Sequence, residues 1–242
     1  MNNYFKADLK RIRANHGHGL CLAVIYLVIA VVAVFKCSDA AGYVGFAQMA
    51  ASSLPAYLGI IVFFAVFSAD TKTRTMQVAI GRGMTRVQVV LAKVLEGLYL
   101  TVVYFVLTGL ILTVVPLVLQ AGVTSADMIK LWSTVAESIL SVMLFFNLGM
   151  ILIIATLKSN LAEIFYVLCG FEIIPGAVLM GLGFLHVQMG LPDLTVYLYT
   201  SLLSSFVEQP LTNIISGLGV VVWLLATLFI AITIFRKKEL EF

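Results

Sequence analysis

The chain has 242 residues, 62% of them hydrophobic and only 11% charged, with a formal net charge of +3. With a mean hydropathy of +1.08, this balance excludes a water-soluble domain, whose apolar residues would alternate with polar ones; here they run unbroken for about twenty positions, so the solvent is lipid. The basic residues sit in short clusters between apolar runs, which offers no basis for nucleic-acid binding.

The first fifteen residues are polar and basic, lack a small-residue cleavage pattern, and are expected to be retained. Within them Phe5, Leu9 and Ile12 fall at helical spacing, with Lys6, Lys10 and Arg13 on other faces. Such a segment can lie in the membrane plane as an amphipathic interface helix; its plainer reading is a basic tail that sets topology. Six apolar stretches follow, at 20–35, 45–67, 94–119, 131–157, 161–185 and 213–235. About 20 residues cross a hydrocarbon layer of ~30 Å. The first stretch, with 16 residues, is short and must draw on Gly17 to Gly19 and Lys36, or on local thinning of the bilayer.

The connection at 68–93 is patterned: Met76, Ala79 and Ile80 share one helical face while Arg74, Gln77 and Arg82 lie off it. This predicts a short amphipathic helix ended by Gly81 and Gly83. Residues 158–160 form a tight helical hairpin turn, and 122–130 a short connection. At 186–212 a mildly apolar stretch, 194–207, is bracketed by Pro192 and Pro210. It is too short and polar to span, and fits one or two half-helices dipping into the outer leaflet. Tyr197, Tyr199 and Phe206 suit an interfacial aromatic belt.

Thirteen of the Lys and Arg residues fall on one side of these spans and only Lys36 and Lys130 on the other. The positive-inside rule then predicts a multi-pass protein of the cell membrane with both termini cytoplasmic. The expected fold is all-α, one transmembrane domain over 1–242.

Glu172 lies eleven residues into the fifth stretch, near the midplane, where an ionised side chain costs roughly 2.5–3.5 kcal/mol. It is therefore protonated, paired or facing water. With Pro175, Gly176, Gly181 and Gly183 after it, it marks a bent helix lining a translocation pathway, or else a neutral Glu bonded to a neighbouring helix. Glu96, Glu137 and Glu163 are close enough to a surface to snorkel. His16 and His18 read as interfacial, since no ligand set completes a metal site. Cys21, Cys37 and Cys169 have no metal-like spacing and predict no disulfide framework.

The run Phe67-Ser68-Ala69-Asp70, then Thr75, then Gly83-Met84-Thr85-Arg86, then Lys93, resembles the first cytoplasmic loop of type-2 ABC exporter permeases. Many of those carry an acid, a Thr five positions on, a Gly or Pro before a Ser/Thr-Arg pair, and a Lys seven beyond that Arg. The chain departs at Arg74, where Gly is common, and at Asp70, where Glu is commoner; the ending Phe235-Arg236-Lys237-Lys238-Glu239 looks like the family's usual stop.

The resemblance implies a coupling helix seated in a groove of a cytoplasmic ABC ATPase. Arg82 and Arg86 would pair with acidic groups there, and Asp70 and Lys93 would hold the loop's ends against the membrane surface. No G-x-x-x-x-G-K-[ST] occurs, so ATP and Mg would be bound by that separate subunit, with no cofactor and no catalysis on this chain. Six spans are half the family's complement, which implies a second permease chain in a homo- or heterodimer. The size resembles permeases of lantibiotic-immunity systems and of exporters of phenol-soluble modulins. An amphipathic, antimicrobial or cytolytic peptide is thus the expected cargo, with multidrug or lipid-linked substrates as the alternative. An intramembrane enzyme would need His, Glu or Ser paired at one depth, and an ion-coupled carrier several mid-span charges or two related halves; the sequence presents neither.

Overall fold

Asn15 divides the start of the chain into two helices, α1 (Asn2–Ala14) and α2 (His16–Lys36), because its side chain accepts hydrogen bonds from the Gly17 and His18 backbone N–H groups that α2 leaves unpaired. The computed structural model describes residues 2–73, 75–156, 158–209 and 212–238, apart from the side chains of 2–3 and 68–75, and no strand occurs among the described residues. With this start the first span reaches 21 residues, drawing in Gly17 to Gly19 and Lys36.

Asp39 caps α3 (Ala40–Ser52) by accepting from Ala41 and Gly42. The chain then widens into a π-helical turn at Pro55–Gly59 and continues as α4 (Ile60–Thr73). A proline, having no N–H to give, is tolerated at the opening of such a turn. The short α5 (Thr75–Gly81) leads to α6 (Arg86–Val118) and α7 (Ser125–Thr156), of 33 and 32 residues. After them come α8 (Ser159–Gly170), α9 (Ile173–Met189), a 3-10 turn at Thr195–Tyr197, α10 (Tyr199–Glu208) and α11 (Ile214–Lys237). By length and apolarity five helical segments can cross a membrane, or six if α8 and α9 together make one span.

The stretch expected as a fifth span is therefore not one helix. Its halves are bent by 65°, and the break lies at Phe171–Glu172 rather than at the proline and glycines beyond. Glu172 has φ +58°, the left-handed conformation that ends α8. Pro175 is the third residue of α9, where a missing N–H costs no intrahelical bond, so it starts the new helix instead of kinking the old one.

Helices α4, α6, α7 and α8 meet closely because small residues face aromatic ones. A Cβ at Gly97 would stand 2.6 Å from the Phe146 ring, and one at Gly149 2.6 Å from Phe63, whose ring stacks on Tyr166 at 4.7 Å. Lipid offers no hydrogen bonds, so several of the polar side chains inside turn to carbonyls or hydroxyls of other helices. Tyr43 donates to Leu112 O at 2.5 Å, Ser138 to Ala51 O at 2.8 Å, and Asn147 Nδ2 to Thr227 Oγ1 at 3.3 Å.

The segment beyond α9 also packs inward. In α10, Tyr199 and Leu203 are buried, and Tyr199 donates to Leu140 O at 2.6 Å. Leu202 and Phe206 press on Gly219 and Gly217 of α11. Tyr199 thus belongs to the core rather than to an aromatic belt, because its hydroxyl can pair with an α7 carbonyl; Tyr197, 67% exposed, remains outside.

Candidate functional site: the basic end of the bundle

The link from α4 to α6 leaves few free residues. Helix α5 sits on the core through buried Ala79, with Met76 and Ile80 packed beside it. It ends at Gly81, and Gly83 takes φ +92°, which a side chain would strain. Hydrogen bonds from Gly83 N to Ile80 O at 2.9 Å and from Met84 N to Ala79 O at 3.1 Å close the turn. Thr85 then opens α6 with a reciprocal cap: its Oγ1 accepts from Gln88 N at 3.2 Å, and Gln88 Oε1 accepts from Thr85 N at 3.0 Å. Arg82 projects from this turn, exposed, with no carboxylate within ion-pair distance among the described residues. The side chains of Asp70 and Thr75 lie outside the described residues.

Arg86 points back into the chain. Its Nη1 donates to the carbonyls of Phe235, Arg236 and Lys238 at 2.8, 2.9 and 2.5 Å. The last turn of a helix leaves its carbonyls without partners, and a guanidinium both pairs them and complements the negative end of the dipole. Lys238 Nζ adds a bond to Ala155 O at 2.8 Å, so the start of α6 and the ends of α7 and α11 are tied together. Sequence reasoning assigned Arg86 outward and missed this role, since its partners lie about 150 residues away along the chain.

Glu96 does not snorkel outward as expected, and Lys93 is not open at the surface of the chain: both are 0% exposed. Lys93 Nζ donates to Asp8 Oδ2 of α1 and to Glu96 Oε2 at 3.0 Å, and Arg11 Nε donates to Asp8 Oδ1 at 2.5 Å. The Lys93 ammonium also stands 5.4 Å from the Tyr4 ring centroid. The physical reason is that α6 begins at Arg86, well before its apolar stretch, and α1 packs over these first turns. Charges covered in this way must be paired. Burial pushes the Asp8 carboxyl up, but the Lys93 charge and the hydrogen bonds from Glu96, Lys93 and Arg11 outweigh it and hold it below its ordinary 3.8. Asp8 was not singled out from the sequence, although it is the one acid among the bases of α1 and stands three residues before Arg11.

The rest of α1 follows from this docking. Ile12 is buried and Leu9 packs on the core, while Phe5 meets Tyr99 edge-on at 6.4 Å. Arg13 Nη2 donates to the Tyr99 hydroxyl at 2.8 Å; Lys6 and Lys10 are exposed. The face carrying Ile12 and Leu9 therefore turns to the spans and not to lipid, because Asp8 draws it toward Lys93.

Glu172 and Pro175 are not part of this assembly. Glu172 is exposed at the α8–α9 break, Pro175 is half-buried, and α9 contains no buried residue.

No protein-family model matches the chain, and no curated protein does.

Proposed function

We propose that the chain is the membrane-spanning subunit of an ABC exporter of the cell membrane, with both termini cytoplasmic. It moves amphipathic peptides outward, driven by a separate ATPase subunit that binds ATP and Mg, and works beside a second permease chain. The observation that carries this reading is the joint at 75–86: an exposed turn bearing Arg82, seated on the core by Ala79 and continuous with a capped 33-residue helix. A motor outside the membrane can do work on spans only through a surface that is both accessible and stiff. Arg86, bonded to the end of α11, extends the lever to a second span, which leaves Arg82 as the charge offered to acidic groups of the ATPase. Gly83 supplies the turn, and Asp70 and Thr75 the loop's other side. Glu172 stands about 18 Å along the expected fifth span from its basic end. An exposed carboxylate at that depth fits a wet pathway formed together with the second chain, with Pro175 fixing the start of the helix that lines it.

The test is to ask whether an ATPase with a P-loop is encoded beside this chain and, with that ATPase co-expressed, to measure co-purification and ATP hydrolysis in the presence of a cytolytic peptide. Arg82→Glu is expected to abolish co-purification and peptide-stimulated hydrolysis while membrane insertion stays normal. An intact complex with unchanged stimulation would overturn the reading.

A further inference from the structure

Between α1 and α6 lies an open groove of about 570 Å³, lined by Phe5 and by Leu95, Leu98, Tyr99 and Val102. That volume falls among those of small-molecule and cofactor sites, roughly 300–1,000 Å³. The α6 residues recur at spacings of three and four, so the groove follows one stripe of the helix for about 10 Å. Leu95 and Val102 are 43% and 39% exposed, so the stripe is uncovered within the chain.

Helix α1, which gives Phe5 to this slot, carries three exposed cations. Lys6, Lys10 and Arg13 follow one another at helical spacing on α1, and Arg13 reaches the slot itself through its bond to the Tyr99 hydroxyl. Arg11, one face away, is paired with Asp8, whereas no carboxylate lies within ion-pair distance of Lys6, Lys10 or Arg13 among the described residues. An apolar slot with a cationic rim complements a molecule with an apolar chain and an anionic head. A second copy of this chain meeting the same patch about a two-fold axis would set these cations against themselves. A zwitterionic headgroup would find no acid at the rim for its cationic end.

We infer that the α1–α6 groove binds one anionic phospholipid, with an acyl chain along Leu98 and Val102 and the phosphate on the Lys6–Lys10–Arg13 stripe. The lipid then bridges the two helices that the Asp8–Lys93 contact joins from the other side, and α1 is held by lipid as well as by protein. This inference stands independently of the exporter reading, since it concerns only α1, α6 and the bilayer.

The experiment is native mass spectrometry of the purified full chain in detergent, titrated with palmitoyl-oleoyl phosphatidylglycerol or phosphatidylcholine. Phosphatidylglycerol is expected to bind at least about tenfold more tightly, and each basic residue removed to cost about fivefold. Lys6→Gln/Lys10→Gln therefore loses roughly 25-fold for phosphatidylglycerol and little for phosphatidylcholine. Val102→Trp, which fills the slot, abolishes retention of both; the surface double variant keeps the test decisive should that one fail to fold. Equal binding of the two lipids, an unchanged Lys6→Gln/Lys10→Gln variant, or competition by chain-free glycerol 3-phosphate would overturn the inference. So would crosslinking of Leu98→Cys to a second copy in phosphatidylglycerol vesicles.

Discussion

The basic end of the bundle and the α8–α9 region both carry an ionisable residue among apolar ones, yet they treat it in opposite ways. At the basic end Lys93 is enclosed by Asp8, Glu96 and Tyr4, and the neighbouring Arg86 is spent on three carbonyls of the closing helix. At the α8–α9 break Glu172 is exposed with a left-handed backbone, followed by a helix with nothing buried. An ionic group completed from within the chain ties α1 to α6, whereas the carboxyl at the α8–α9 break is left at the surface of the single chain.

The largest effect that would test this contrast is expected from Lys93→Met. Asp8 and Glu96 would then face each other without the ammonium between them, and removing one member of a buried ionic group costs about 3–5 kcal/mol. Denaturation in detergent should show that loss together with faster proteolysis of α1; a variant as stable as the parent would break the comparison. Acid probes the same contact. Because the Asp8 carboxyl is held below its ordinary 3.8, its contribution is complete above that value and fades as pH falls through the lowered one. Protection of α1 from proteolysis should follow this course in the parent and become insensitive to acid in Asp8→Asn.

Packing supplies the next contrast. Gly149→Ala drives a methyl into the Phe63 ring and is expected to cost about 1–3 kcal/mol, whereas a Cβ at Gly181 of α9 meets nothing within 4 Å. Gly181→Ala should instead stabilise by about 0.5–1 kcal/mol. Thermal unfolding of the pair reads the difference directly, and equal shifts would show that α9 is packed after all. Arg86→Gln should cost about 1–2 kcal/mol, with faster amide exchange confined to the last turn of α11. Glu172→Gly relieves a left-handed side-chain residue and should raise stability by about 1 kcal/mol; a loss would mean that the carboxylate has a partner within the chain.

Much of the architecture is legible in hydropathy alone, because lipid leaves so few options for a backbone. The helix over 75–81 is readable from Met76, Ala79, Ile80 and the two glycines. Its glycine stop follows from φ at Gly83. What hydropathy cannot show is which charges meet. Lys93 and Glu96 look like residues at the edge of a span because the apolar stretch begins between them, and only the packing of α1 across α6 puts them inside. The fifth span misleads for another reason: proline and glycine are the usual marks of a bend, yet the turn is made by a glutamate, a residue that seldom adopts positive φ and so leaves no trace in composition.

The wide turn at Pro55–Gly59 sets the phase of everything downstream. Before it Tyr43, Ala47 and Leu54 serve one core cluster, and after it Val62, Phe63 and Val66 serve the other. A uniform helix advances about 100° per residue, so the 23 steps from residue 43 to residue 66 would carry the inward face about 140° around its axis. The broader turn takes up part of that drift by using more residues per revolution. Deleting a single residue there would rotate Phe63 off its glycine seat and toward the hydrocarbon, with the hydropathy profile almost unchanged. In this span the count of residues, more than their kind, decides which side chains reach the interior.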